Sequence, residues 1–140
     1  MATIFQASFL LVAPFWFLMV FLPHWAWTKR LMNSPFVIAP AALLYAILVL
    51  PLIGDVLPAV MNPTLEGVAA VLSSDAGATL GWVHFLAFDL FVGRWAYLDS
   101  QKHHISAWLM APVLFFTLML GPIGFLLYLV VKTGHERLKS

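Results

Sequence analysis

The sequence predicts an all-α integral membrane protein: a bundle of four transmembrane helices with a partly helical loop between the second and third. Two observations carry this expectation. Of 140 residues, 63% are hydrophobic and only 9% charged, against about 25% charged in a soluble domain. Such a chain cannot cover itself with polar surface, so its solvent must be lipid. The apolar residues also gather into four stretches near the roughly 20 residues that a helix needs to span a bilayer. Together these use nearly the whole chain, so residues 1–140 are expected to form a single four-helix transmembrane domain.

The first span is expected from about Ile4 to Leu22, with Pro14 kinking it or freeing a backbone carbonyl. Pro23, His24, Trp25 and Trp27 lead into Lys29 and Arg30, and tryptophan beside basic residues marks a membrane–water interface. Asn33, Ser34 and Pro35 form a turn and a helix start. A second span is expected from Phe36 to Ile53, with Pro40 in its tolerant first turns. Residues 54–79 form the longest connection, holding Asp55, Pro58, Asn62, Pro63, Glu66 and Asp75, with a short helix expected over Pro63 to Leu72. A third span follows from Leu80 to Leu98. The fourth runs from Ile105 to Val131, with Gly121-Pro122 inside it, and ends in a polar tail.

Four crossings place Lys29, Arg30 and Lys102 on one side and Lys132, Arg137 and Lys139 on the other. The positive-inside rule is then nearly balanced, and both termini share a side. Residues 1–20 hold no Lys or Arg, and Phe15, Trp16 and Phe17 stand where a signal peptide has small residues. Neither a cleaved signal nor a transit peptide is therefore expected. The bilayer expected is a bacterial inner membrane, or a plastid membrane in a phototrophic eukaryote. With no cysteine, disulfide frameworks and thiolate metal sites are excluded. A net charge of +1 gives no basic field for nucleic acid. No P-loop, dinucleotide fingerprint or serine triad is present.

The third span is anomalous because it carries His84, Asp89 and Arg94, with Asp99 just beyond. A charge at the bilayer centre costs at least about 2.5–3.5 kcal/mol, so Asp89 must face the interior, find a partner or be protonated. At about 100° per residue, Phe88, Phe91, Trp95 and Asp99 lie within about 60° of His84, while Asp89 lies about 140° away. Arg94 sits roughly opposite Asp89, and the two cannot pair within the helix. Glu66 is a candidate partner for Arg94; Tyr45 and Tyr128 are candidates for Asp89. Each residue also has a plainer reading. His84 bonds across helices, Asp89 and Arg94 pin the bundle, Asp99 pairs with Lys102 or His103, and Glu66 is a solvated helix-start residue. The aromatic stripe is packing or lipid contact, and His103 and His104 are interfacial. No pair has the i, i+3 or i, i+4 ligand spacing of a helical metal site, so no metal is predicted. No cofactor is predicted either, although a bound carotenoid, or haem on a lone histidine, stays open.

Residues 81–95, Gly81-Trp82-Val83-His84-Phe85-Leu86-Ala87-Phe88-Asp89-Leu90-Phe91-Val92-Gly93-Arg94-Trp95, resemble the most distinctive stretch of the abscisic-acid-deficient-four-like membrane proteins, the family that includes plant neoxanthin synthase. Leu65-Glu66-Gly67-Val68, Gly121-Pro122-Ile123-Gly124 with Tyr128, and Leu22-Pro23-His24-Trp25 resemble further family motifs, in order along the chain. The resemblance implies rearrangement of a carotenoid 5,6-epoxide to an allenic alcohol, an isomerisation that needs an acid and a base but no redox cofactor. It implies catalytic roles for His84, Asp89 and Glu66. Arg94, Asp99, Phe88, Phe91 and Trp95 would bind or orient a carotenoid or related isoprenoid in an apolar groove.

Three classes of function follow. One is a membrane isomerase. Another is a non-catalytic pigment- or lipid-binding component, or a scaffold for a carotenoid enzyme. The third is a proton or solute pathway, which buried Asp, His and Arg alone would suggest but which one four-helix chain provides only as a homo-oligomer.

Overall fold

Inside lipid a backbone has no water to bond, so each apolar run must satisfy its own N–H and C=O groups, and the helix does this within one segment. A computed structural model describes residues 1–139; among them there is no strand, and four helices are long and apolar enough to cross a membrane. The predicted all-α, four-helix membrane architecture is borne out.

Helix α1 spans Ala2–Phe21. A 3-10 turn at Phe9–Leu11 tightens it just before Pro14, which then opens a fresh helical segment where its missing N–H is harmless. Helix α2, Ala26–Asn33, carries Lys29 and Arg30, with the Arg30 guanidinium 5.6 Å from the Trp27 ring centre. Helix α3, Pro35–Met61, starts where Ser34 Oγ accepts from Phe36 N–H at 3.3 Å. Helix α4 is Leu65–Leu72, capped by Thr64 Oγ1, and α5 is Asp75–Lys102, capped by Ser74 Oγ. The long connection expected over residues 54–79 is thus mostly helix. Glu66 and Asp75 each stand in the first turn of their helix, where the N-terminal N–H groups favour an acid, and Asp55 stands in the first turn of the segment Ile53–Met61, which a 3-10 turn at Leu50–Leu52 sets off within α3.

Helix α5 is the axis of the bundle. Helix α1 runs parallel to it: Phe5 stacks on Trp82 at 5.1 Å, the Trp16 ring lies against Gly93, and Tyr97 OH donates to Pro23 O at 2.5 Å. Helix α3 runs antiparallel, with Tyr45 beside His84 at one level and Asn33 O reached by Arg94 at another. The main core gathers Val12, Trp16, Met19, Leu90, Leu114 and Tyr128 between α1, α5 and the last helix.

That last helix, α6, is Ala107–Lys139. A straight rod would separate Ala107 from His135 by about 42 Å. Instead His103, four residues before Ala107, has its carbonyl 3.1 Å from His135 Nε2 and its ring 3.4 Å from Glu136. The helix folds back at Leu120, whose backbone (φ −143°, ψ 45°) leaves the helical region. Pro122 just beyond has no N–H to continue the ladder. The returning limb crosses the outgoing one so closely that a Cβ on Gly124 would fall on the backbone N and Cα of Thr117. Only glycine permits this approach.

The fold-back corrects the expected topology. Residues 107–119 advance about 20 Å, short of the ~30 Å hydrocarbon core, and the second limb returns alongside α5, Gly121 meeting Asp89 and Lys132 meeting Asp99. The end of α6 therefore lies with the α5–α6 turn and α2, at the opposite end from Ala2, and the two chain ends do not share a side. The cations no longer balance. Lys29, Arg30, Lys102, Lys132 and Arg137 collect at one end, and Arg94 reaches toward it; Asp55, Glu66 and Asp75 mark the other.

Candidate functional site in the membrane interior

Helix α5 positions His84, Asp89, Arg94 and Asp99, α4 positions Glu66, and their neighbours decide what each one meets. Trp82, Asp89 and Gly93 fall within about 40° of one another on its inward face. At Gly93 the missing side chain admits the Trp16 ring, whose Cζ3 would stand 2.8 Å from an added Cβ. Trp16 Nε1 and Trp82 Nε1 are both buried without a hydrogen-bond partner among the described residues. Indole N–H groups in apolar surroundings ordinarily find an acceptor, so this face carries unused donors.

Asp89 is half-buried on the same face. Its carboxylate lies against Gly121, at the break in α6, so close that a Cβ there would overlap Oδ1. Among the described residues Asp89 makes no hydrogen bond or ion pair. Tyr45 and Tyr128, the partners considered from sequence, are both engaged elsewhere. Tyr45 packs on His84, and Tyr128 donates to Asp99. An unpaired carboxyl thus faces a backbone break, in a region where such groups are costly and ordinarily serve a function.

His84 is on a different face. Its ring stacks on Phe88 at 4.8 Å, tilts against Tyr45 at 5.4 Å and meets Phe85 edge-on at 6.2 Å. It lines an apolar cavity of about 210 Å³ between α3, α4 and α5, together with Tyr45, Val68 and Leu72. Glu66, though on α4, is exposed and is not among the residues lining that cavity. No hydrogen bond or ion pair joins Glu66, His84 and Asp89 among the described residues.

Arg94 does not hold Glu66. Its Nε donates to Met32 O at 2.6 Å and its Nη2 to Asn33 O at 3.1 Å. These carbonyls end α2, where orphan acceptors and the helix dipole both favour a cation. Asp99 pairs not with Lys102 but with Lys132, at 2.7 Å, and accepts from Tyr128 OH at 2.6 Å. His103 Nδ1 stands 3.6 Å from its other oxygen. Trp95 covers this network, edge-on to Tyr128 at 5.3 Å and 5.7 Å from Phe125. The aromatic stripe is therefore divided: Phe88 belongs to His84, Trp95 to the Asp99 network, and Phe91 lies exposed on the lipid-facing side. Trp16 and Lys132 were not foreseen as site neighbours. The sequence signal for the break was Gly121-Pro122 within an apolar run longer than one span.

The sequence pattern of the ABA DEFICIENT 4-like family matches residues 3–128. The chain belongs to that family. The match takes in Glu66, His84, Asp89, Arg94, Asp99 and the break at Leu120, and it ends at Tyr128, the residue bonded to Asp99. Among known proteins, "Protein ABA DEFICIENT 4, chloroplastic" of Arabidopsis thaliana is 28% identical over 138 residues, covering 94% of this chain and 61% of that protein. The chain thus spans about three-fifths of the length of this relative. No solved structure matches it.

Proposed function

We propose that this protein is a membrane isomerase of a carotenoid or related isoprenoid, and that Asp89 carries the proton transfers. The supporting observation is the Asp89 carboxyl itself: half-buried, without a hydrogen bond or ion pair among the described residues, and set against the break in α6. In an epoxide-to-allene rearrangement the acid form gives its proton to the epoxide oxygen as a C–O bond opens. The carboxylate so formed then takes a proton from the adjacent polyene carbon. One proton is given and one recovered, so the product is an isomer and no electrons are exchanged. A carboxyl with no standing partner suits both half-steps, because neither oxygen must first break a hydrogen bond. His84, facing the aromatic cavity beside Tyr45, is assigned to binding the apolar ligand. Glu66 supports α4, and Arg94 and Asp99 hold α2 and the end of α6 against α5.

One observation favours the second reading, a pigment- or lipid-binding component without catalysis: His84 and Asp89 meet different neighbours and form no acid–base pair. Pigment analysis of a carotenoid-producing bacterial host separates the two. The proposal expects a new isomer with the intact chain, its loss with Asp89→Asn, and its reduction without loss in His84→Ala. Full activity in Asp89→Asn would remove the mechanism. Pigment that co-purifies unchanged with the protein would establish the binding reading.

A further inference from the structure

We infer that the cleft between the end of α1, α2 and the α5–α6 turn binds the headgroup of an anionic phospholipid. This inference does not rest on the isomerase reading.

The cleft has a volume of about 1040 Å³. Its rim carries Lys29, Lys102, His24 and His104, with Asn33 and Gln101 as further polar groups, and among the described residues no carboxylate lines it. The carboxylates at this end of the molecule are engaged elsewhere, Asp99 by Lys132 and Tyr128, Glu136 by His103. The two lysines of the rim are therefore uncompensated within the cleft. Its wall is apolar, formed by Phe21 of α1 and Trp108 of α6 among others.

The position suits a lipid rather than a free ion. Trp25, Trp27 and Trp108 are 50%, 55% and 88% exposed around this end, as tryptophans at a headgroup boundary are. The fold-back of α6 gathers the basic residues at the same end, and a basic pocket between membrane helices on the cation-rich side is chemically matched to an anionic headgroup. A free phosphate would use the rim and leave the apolar wall without a partner. A phospholipid uses both.

The backbone ending of α5 brings one more side chain to the rim. His104 has φ 55°, the left-handed conformation that glycine adopts without cost. It closes α5 in a Schellman-type end: His104 N–H reaches Gln101 O at 3.3 Å and Ile105 N–H reaches Ser100 O at 3.0 Å. This helix ending sets the His104 side chain among the residues that line the cleft.

The test is native mass spectrometry of the full chain in detergent, titrated with phosphatidylglycerol, with phosphatidylcholine and, separately, with inorganic phosphate. Phosphatidylglycerol is expected to be retained in preference to phosphatidylcholine. Lys29→Gln and Lys102→Gln should each weaken that retention about fivefold. Arg30→Gln removes the same charge from the same end but outside the cleft, and should leave retention unchanged. If a lysine variant fails to fold, His104→Asn, which tolerates the left-handed backbone, addresses the same cleft and should weaken retention. Equal retention of the two lipids overturns the proposal. So does an Arg30→Gln loss as large as that of the cleft lysines, or inorganic phosphate binding as tightly as the lipid.

Discussion

Gly124→Ala and Gly134→Ala make the same chemical change in the returning limb of α6, and the structure gives them opposite signs. At Gly134 an added Cβ meets nothing within 4 Å. That substitution should stabilise the protein by up to about 1 kcal/mol, the helix preference of alanine over glycine. At Gly124 the added Cβ falls on Thr117 backbone N and Cα as well as on Oγ1. Overpacking by one methyl in a tight core costs about 1–3 kcal/mol. The upper end applies here because the obstacle is backbone: relief requires the two limbs to part, and Thr117, itself buried, has its hydroxyl bonded to Val113 O at 2.8 Å. The helix preference acts at both positions and cancels in the comparison, so the two variants should differ by about 3 kcal/mol. Equilibrium unfolding in mixed micelles, followed by circular dichroism, measures the difference directly. If the two fall within about 0.5 kcal/mol of each other, the limbs do not touch at Thr117 and Gly124, and the folded-back α6 is refuted.

Two further predictions follow from the same geometry. The chain has no native cysteine, so single cysteines placed at Thr133, Asn33 and Asn62 report sidedness without background; an impermeant maleimide should label Thr133→Cys and Asn33→Cys from the same, cation-rich face and Asn62→Cys from the other, whereas a fully crossing α6 would put position 133 with position 62. Asp99→Asn should destabilise the protein by about 1–3 kcal/mol by leaving Lys132 without its carboxylate, with Asp99→Asn/Lys132→Met recovering part of the loss; strictly additive effects in that cycle would show that the 2.7 Å pair contributes no coupling.

The helices were legible in the sequence because each apolar run forces the chain to bond within itself, whatever surrounds it. The fold-back was not, because hydropathy sums residues without regard to direction. A run from Ile105 to Val131 scores the same as one long crossing or as two half-crossings. Only its excess length and Gly121-Pro122 pointed to the second. The sequence reads residues 54–79 as a partly helical connection; α3 instead runs on to Met61, and Glu66 and Asp75 each stand where a helix start accepts an acid. The site was legible in composition and illegible in pairing. That Asp89 had to face the interior, find a partner or be protonated followed from burial cost; that it faces a backbone break, while Arg94 takes two carbonyls of α2 and Asp99 takes Lys132, depends on the rotation and depth of neighbouring helices, which one chain's periodicity does not encode.

The apex of α6 has a consequence for the bilayer itself. Asp89 and Gly121 lie about 21 Å along α5 from His103, so α6 fills the membrane beside α5 only to that depth. Beyond it α6 no longer covers α5, and Phe5 of α1 stacks on Trp82 along the Asp89 face. The profile that the protein offers the bilayer is therefore stepped: broader at the cation-rich end, where both limbs of α6 stand, and narrower toward Ala2, with the Asp89 carboxyl at the step.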